Sequence, residues 1–472
     1  MEGMIVIFGA TGDLMKKKLA PALYSLYLDG ALTERHPVVC VGRKSLTMDE
    51  FIRHLDTGSY VSEADEEEFH NLIQYVVHDF EQPTSSLDEA LDSIKERFNA
   101  GDDIIFYLAL PPSLFKPVTD KLASSRLMKG KGFRRVAFEK PFGSDLKSAT
   151  ELNDAVRGCF DESQIYRIDH YLAKELVLEL FSFRFSNRLL NEMWCRENID
   201  HVQVQLTETA GVGGRAGYYD TYGAIRDMLQ NHIMHIIALT TMDEPKSLGA
   251  DDIRDKKVKA LSSLRPIDPS DIVIGQYTWG LDQDGNIILG YDDDVGDHTT
   301  KTETFVAAKV ILDDTRLKDV PIYEKKKKRL HEHVSRIDIV LKNTGCTLFN
   351  DTPQPNVITV KIYPSEGIEM AINAKVPGPL YDLTEATLSF CRTCKYGPNT
   401  PQAYQVILEQ IMKGNQALFT RWDEAKASWR WIDQILRMKE EDTIQLTSYA
   451  PGSKGPQEAD DLIQKDGRQW RV

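Results

Sequence analysis

The chain has 472 residues, 42% hydrophobic and 27% charged, with a formal net charge of −15. That is an ordinary globular composition with material for two or three domains. The acidic total excludes a general nucleic-acid binder, whose footprint is a basic surface, but leaves open a small anionic ligand held in a local basic pocket.

No apolar run approaches the roughly 18 residues of a membrane helix, so no membrane partner is expected. The opening "MEGMIVIFGATGDL" has neither a basic n-region nor a small-residue cleavage site, which points to a cytoplasmic protein. β-rich runs then appear at residues 4–9, 37–42, 73–77, 103–110 and 134–138, separated by polar, helix-prone stretches. Thr47 and Glu50 have the spacing of a capping box before one of these stretches. Strands alternating with helices predict βαβ units, a mostly parallel sheet and an α/β, Rossmann-like dinucleotide-binding domain.

The first turn agrees. Gly9, Ala10, Thr11, Gly12, Asp13 and Leu14 follow the opening strand directly. Glycines there let a backbone approach a pyrophosphate at a helix N-terminus, although the spacing also suits a plain tight βα turn. The second strand ends in Arg43 and Lys44 with no carboxylate, which favours NADP, since a guanidinium matches a 2′-phosphate; a solvated basic loop is the alternative. Lys140, just past the fifth strand and followed by Pro141, lies where substrate and nicotinamide should meet, and a cis peptide is possible before that proline.

Residues 167–176, "RIDHYLAKEL", come next. The stretch reads as the start of a helix, on which His170 and Lys174 would share one face with Tyr171 adjacent, a compact dianion pocket or an incidental basic pair. Beyond it, long β-rich runs occur at 201–209, 271–279, 302–312, 335–342, 356–363 and 367–376, with helical runs at 404–415 and 424–439. Strands in succession predict an α+β domain with a large, mainly antiparallel sheet, hence domains at 1–175 and 176–472. His232 lies in an apolar helical stretch, and no carboxylate spacing completes a metal site with His235, so no metal is expected. Six scattered cysteines suit a reduced protein, and the lone Cys391-x-x-Cys394 is expected to be free thiols.

"RIDHYLAKE" resembles the R-I-D-H-Y-L-G-K-E signature of glucose-6-phosphate dehydrogenases, with Ala173 in place of glycine. "GATGDLMKKK", "FYLALPP", "EKPFG", "AIRDMLQNH", "DDIRDKKVK" and "GSKGPQEADDL" resemble that family's other landmarks in the same order. The resemblance implies an enzyme that oxidises C1 of glucose 6-phosphate to the lactone with hydride transfer to NADP, the first step of the oxidative pentose phosphate pathway. It implies His232 as general base, Asp169 as its supporting carboxylate, and His170, Tyr171 and Lys174 on the 6-phosphate. Glu208 and Asp227 would hold sugar hydroxyls, Lys328 aligns with a substrate-binding lysine, and Lys140 would lie between substrate and cofactor. A homodimer or homotetramer is implied as well.

Departures cluster at "VPIYEKKKKRLHEHVSRIDIV", residues 320–340. Lys325 and Lys326 replace an arginine-threonine pair, Lys327 replaces a glycine, and His333 stands at a second basic contact. Losing that glycine removes a backbone conformation glycine adopts easily, and four lysines in a row repel one another. Ala173, placed in a helix, should stabilise by up to roughly 1 kcal/mol. These changes leave open a relative acting on another hexose or amino-hexose 6-phosphate, or a non-catalytic polyanion binder using residues 16–18 and 325–329.

Overall fold

The computed structural model describes residues 2–55, 63–79, 82, 84–281, 285–329, 333–397 and 401–471. The chain forms two compact units: Met1–Ala173 with Leu248–Arg254 and Pro401–Lys426, and Lys174–Ser247 with Asp255–Thr400 and Ala427–Val472.

The first unit is built on β1 (Gly3–Phe8), β2 (Val38–Gly42), β3 (Ile73–Val77), β4 (Asp103–Leu108), β5 (Arg134–Glu139) and β6 (Ile165–Ile168), with the short β17 (Phe419–Thr420) at the edge. Their order is β17-β6-β5-β4-β1-β2-β3, and every pair is parallel except β17 with β6. The five predicted strands are all present. Alternate residues of β1 feed two different cores: Ile5 and Ile7 join Cys40, Tyr107 and Tyr166, whereas Met4, Val6 and Phe8 join Val39, Phe106 and Phe138. A sheet buried on both faces needs continuous apolar strands, which "MIVIF" and "VVCV" supply. The Thr47 box forms, the threonine hydroxyl accepting from Glu50 N and the Glu50 carboxylate from Thr47 N.

The second unit carries a nine-stranded, mainly antiparallel sheet. It contains β7 (Ile199–Thr207), β8 (Ile272–Tyr277), β11 (Phe305–Val310), β12 (Ile322–Lys327), β13 (Ser335–Leu341), β14 (Val357–Tyr363), β15 (Gly367–Lys375), β16 (Leu383–Cys391) and β18 (Leu446–Tyr449). The order is β16-β15-β14-β13-β7-β12-β11-β8-β18, with only β7/β12 and β8/β18 parallel. β9 (Gly280–Leu281) and β10 (Ile287–Ile288) make a separate small ribbon. Helices Ala403–Lys413 and Trp422–Glu440 match the predicted runs, but the former belongs to the first unit and the latter passes into the second at Ala427. Among the described residues no helix is long and apolar enough to cross a membrane.

Three expectations change. Residues 170–173 form a turn, and the helix starts only at Glu175, with Lys174 as an extended cap (ψ 129°). Asp169 is the reason: its carboxylate accepts from Tyr171 N at 3.0 Å and its carbonyl from Leu172 N, a local turn that competes with helix. His170 and Lys174 therefore do not share a helical face, and Ala173, outside any helix, brings no propensity gain. Lys327, in turn, is an ordinary residue of β12, and the positive φ of this region falls at Arg329 (58°), so the missing glycine leaves no strain at 327. Finally, Cys391 and Cys394 are joined by a disulfide rather than free. β16 ends at Cys391 and one helical turn follows, bringing the two Cα atoms to 5.3 Å, inside bridging range.

Glu324, at the centre of β12, is fully buried, and neither carboxyl oxygen has a hydrogen-bond partner among the described residues. Burial alone pushes its pKa well above the carboxylate range, so it is carried as the neutral acid. A raised carboxyl pKa costs nothing below the unfolded value of about 4.3, then roughly 1.4 kcal/mol per pH unit until the folded pKa is reached. Stability is thus lost as pH rises through that window. Glu324→Met is expected to raise Tm by a margin that widens as pH rises above about 4.3 in thermal denaturation; a margin independent of pH would contradict the raised carboxyl pKa.

Candidate active site

In the first unit the predicted cofactor residues lie at the carboxyl ends of the parallel strands, the edge where such sheets bind ligands. β1 is an interior strand with β2 on one side and β4 on the other, where the strand order reverses, so residues 9–14 sit at the switch point. Gly9 has φ +84°, and a Cβ there would lie 2.2 Å from the Ala109 carbonyl oxygen in the loop after β4. Only glycine fits. Gly9 N and Ala10 N donate to the Val41 carbonyl at 3.0 and 3.1 Å, tying the turn to the end of β2, and Gly12 N closes it onto Gly9 O at 3.0 Å. The helix begins at Asp13 and passes through a π-helical run, Met15–Leu19, that the sequence pattern does not announce. Thr11 and Leu14 are half-buried, the Thr11 carbonyl meeting the His54 ring at 3.2 Å; exposed Asp13 pairs with Lys17. Arg43 stands exposed just past β2. The backbone cradle and this cationic strand end fit a phosphorylated dinucleotide.

Lys140 directly follows β5, and its peptide bond to Pro141 is cis. Beside it, Glu139 is pushed up to about 7 by burial, which outweighs the hydroxyls of Tyr107 and Tyr404 and the charge of Lys140; Asp169 adds to the rise. Tyr107 donates to Glu139 at 2.7 Å. Asp169 is buried, and Tyr171 nearly so. The His170 ring stacks on Tyr404 with centroids 6.3 Å apart and an angle of 17°. The reading of the sequence passed over Glu139 and Tyr404. Glu139 is adjacent to Lys140 and could have been suspected, but Tyr404 lies 234 positions from His170 and carries no local signal.

In the second unit the end of β12 organises the charges. A strand turns alternate side chains to opposite faces, so Lys326 and Lys328 point one way, Lys325 and Lys327 the other. Glu208, just past the neighbouring β7, receives Lys326 on Oε1 at 3.0 Å and Lys328 on Oε2 at 2.6 Å. Burial works to raise the Glu208 pKa, yet the two ammonium groups override it and hold the carboxyl well below its usual range. Lys328 also lies over the Tyr219 ring at 4.7 Å. On the opposite face Lys325 lies 4.2 Å from the Trp470 ring centre, and Lys327 donates to the Ser453 carbonyl beside Tyr449. Burial lowers these two lysines to about 8 and about 7. The run is therefore sorted by face rather than massed.

Asp227 and His232 lie on a single π-helical run, Ile225–Ile233. Five residues apart, they would sit about 140° from each other on a regular α-helix. A ladder that joins residue i to i+5 brings them toward one face. His232 is buried, its backbone N–H donating to the Asn231 side chain at 2.6 Å, and Asp227 acts electrostatically on both Tyr219 and Lys326. His333 is exposed and packs on Tyr363 with ring centres 4.0 Å apart. Its pKa is lowered chiefly by desolvation; Glu208 opposes, and Lys326 and Lys174 add to the lowering. Residues 330–332, inside the departing segment, lie outside the described residues. The second unit thus brings Glu208, Lys328 and Asp227 into one electrostatic cluster with Lys326, a member the sequence pattern marked only as a departure.

Comparison with known proteins gives a consistent result. A model of the "glucose-6-phosphate dehydrogenase, NAD binding domain" matches residues 6–179, and one of the "glucose-6-phosphate dehydrogenase, C-terminal domain" matches 181–471. The glucose-6-phosphate 1-dehydrogenase of Rhizobium meliloti is 37% identical over 483 aligned residues, covering 98% of this chain and 96% of the relative. That of Bacillus subtilis is 37% identical over 481, covering 99% and 98%. A solved glucose-6-phosphate dehydrogenase in complex with its substrate glucose-6-phosphate superposes with a TM-score of 0.93 at 34% identity, over 100% of this chain and 99% of that one.

The cradle geometry makes a direct prediction. Gly9→Ala places a methyl group against the Ala109 carbonyl and forces a left-handed backbone at a cost of about 1–3 kcal/mol. In thermal-shift titration the wild type should be stabilised by nicotinamide dinucleotide, and the variant, though folded, should show no shift. A normal shift would remove residues 9–14 from the cofactor site.

Proposed function

This chain belongs to the glucose-6-phosphate dehydrogenase family, and from that premise we propose how its own residues divide the work. The protein is an oxidoreductase that converts D-glucose 6-phosphate to 6-phospho-D-glucono-1,5-lactone with transfer of the C1 hydride to a nicotinamide cofactor. Residues 1–175 carry the cofactor site and, at their end, the stretch 169–174 that reaches the substrate; residues 176–472 serve the rest of the substrate and the association of two or four copies through the sheet, where β15 and β16 leave side chains such as Leu388 exposed.

His232 is the general base. Removing hydride from C1 builds positive charge there unless the hydroxyl proton leaves with it, and a neutral imidazole, with a reference pKa of about 6.5, can take that proton at pH 7. Asp169 is the supporting carboxylate of this chemistry. His170, Tyr171 and Lys174 hold the 6-phosphate. Glu208 and Asp227 accept hydrogen bonds from sugar hydroxyls, and Lys328 and His333 complete the substrate contacts. Lys140 serves both ligands. Gly9, Ala10, Thr11, Gly12, Asp13 and Leu14 cradle the pyrophosphate.

The cofactor is NADP. When bound, its nicotinamide ring supplies the hydride acceptor, and the protein's part is to orient it and to neutralise the phosphates. Arg43, exposed past β2 with no acidic residue beside it, is placed to read a 2′-phosphate bidentately. The observation that carries the substrate assignment is the ion pair at 2.6 Å between buried Lys328 and half-buried Glu208. It sets a hydroxyl acceptor and a cation side by side, as a phosphorylated sugar requires.

Two variants test this division. His232→Asn is expected to lower kcat by about 10²–10⁴ with little change in KM for sugar phosphate, measured by initial rates; a near-normal kcat would take His232 out of the base role. Arg43→Ala should raise KM for NADP by roughly 10- to 100-fold and leave NAD almost unchanged, given a charge-assisted bidentate contact. Equal losses for both cofactors would mean that Arg43 does not read the 2′-phosphate.

A further inference from the structure

Lys326 is the one member of the Glu208 cluster to which the proposed chemistry gives no task. Its side chain is about 1% exposed, yet it sits 3.0 Å from Glu208 Oε1, on the same face of β12 as Lys328. It cannot reach a ligand except through the carboxylate in front of it. We propose that Lys326 is a positioning residue that fixes the orientation of Glu208 and thereby sets which hexose 6-phosphates the protein accepts. This rests on the assignment of Glu208 to sugar hydroxyls.

The physical basis is the geometry of two cations at the end of one strand, Lys326 within β12 and Lys328 one residue past it. The two are two residues apart, and the backbone holds both in place: Lys326 pairs in β12, and Lys328 N donates to the Thr304 carbonyl at 3.2 Å. Lys328 donates to Oε2 at 2.6 Å, and Lys326 stands 3.0 Å from Oε1 as an ion pair outside hydrogen-bond geometry, so the two charges together draw the carboxylate into one orientation. A carboxylate has about four acceptor positions, so after both ion pairs each oxygen keeps capacity for one more donor, in a fixed direction. A hydroxyl of the right configuration meets that direction, and its epimer leaves it unfilled. Sites built to hydrogen-bond a hydroxyl discriminate far more strongly than apolar ones, because the buried partner is otherwise unpaired. Without Lys326, Glu208 can swing about Oε2, and the direction is lost.

The same arrangement makes the anchor titratable. The groups facing Lys326 are Glu208 after β7, Lys328 on its own strand, Asp227 on the π-helical run and His333 after β12. Burial brings Lys326 down to about 8, with Glu208 opposing and Lys328 assisting. As pH rises past that value the ammonium is lost and Glu208 is released. Recognition of the sugar should therefore weaken on the alkaline side.

The test compares wild type, Lys326→Met, Lys326→Arg, Glu208→Gln and the Met/Gln double variant. Initial rates of NADP reduction would be followed from about pH 6 to 10 with glucose 6-phosphate and its C2 and C4 epimers. Lys326→Met is expected to raise KM for glucose 6-phosphate about 10-fold with kcat within about 3-fold, to shrink the preference over the epimers similarly, and to abolish the alkaline limb near pH 8. Lys326→Arg should keep the preference but also lose the limb, because guanidinium does not titrate there. In the Glu208→Gln background Lys326→Met should add almost nothing, as expected for residues acting as one unit. Wild-type KM, epimer ratios and alkaline limb in Lys326→Met would overturn the proposal, and so would an undiminished effect in the Gln background. If the Met variant does not fold, an alkaline limb retained in Lys326→Arg overturns it alone. A wild type silent toward every hexose 6-phosphate would instead refute the proposed substrate assignment.

Discussion

A half-buried carboxylate that has lost part of its water stays ionised more readily if something compensates the loss, and at Glu208 that compensation is two buried lysines at the end of β12. Removing either partner would leave an unbalanced charge in a desolvated place, which is why such clusters are either complete or costly. β12 meets the condition by alternation. It sends Lys326 and Lys328 to Glu208 and sends Lys325 and Lys327 to the indole of Trp470 and the Ser453 carbonyl. Glu324, two residues earlier on the Glu208 face, has no such partner and is carried as a neutral acid. Lys326 lies within the strand ladder, and Lys328 and Glu208, each one residue past its strand, are still tied to the sheet by backbone hydrogen bonds, Lys328 N to the Thr304 carbonyl at 3.2 Å and Glu208 N to the Lys327 carbonyl at 2.9 Å.

The first unit follows a related logic with backbone in place of charge. Its parallel strands expose their carboxyl ends together, and the turn after β1 is pressed so closely against the loop after β4 that only glycine can occupy position 9. Each unit also contains a π-helical run next to proposed ligand-binding residues: Met15–Leu19 after the cradle, and Ile225–Ile233 carrying Asp227 and His232. π-helical turns are rare and often mark functional sites. In the second case the wider turn gathers an acid and a base that an α-helix would separate.

Much of this was legible in the sequence. Apolar runs such as "MIVIF" identify strands buried on both faces, and the long helix-prone segments between them suit the crossovers that parallel pairing requires. What stayed hidden has specific causes. "RIDHYLAKEL" has helical composition, but Asp169 diverts the backbone into a turn that a propensity argument does not weigh. "YEKKKK" looks like a solvated basic loop and proves to be a central strand, because cross-strand partners distant in sequence supply its compensation; period-two alternation would have placed 324, 326 and 328 on one face. β16 and β18 were missed for want of a strong apolar pattern, β16 being largely exposed. The Cys391–Cys394 bridge and the Tyr404–His170 stack depend on three-dimensional proximity that spacing alone does not encode.

The central claim is that this pair of units oxidises glucose 6-phosphate with NADP. The most direct measurement is the initial rate of NADP and NAD reduction by the purified full chain, with glucose 6-phosphate beside free glucose and other hexose and amino-hexose 6-phosphates. The account predicts rapid NADP reduction with glucose 6-phosphate, much weaker reduction with its epimers, and none with unphosphorylated glucose. Turnover that favours a different sugar phosphate, or no reduction of either cofactor, would contradict it.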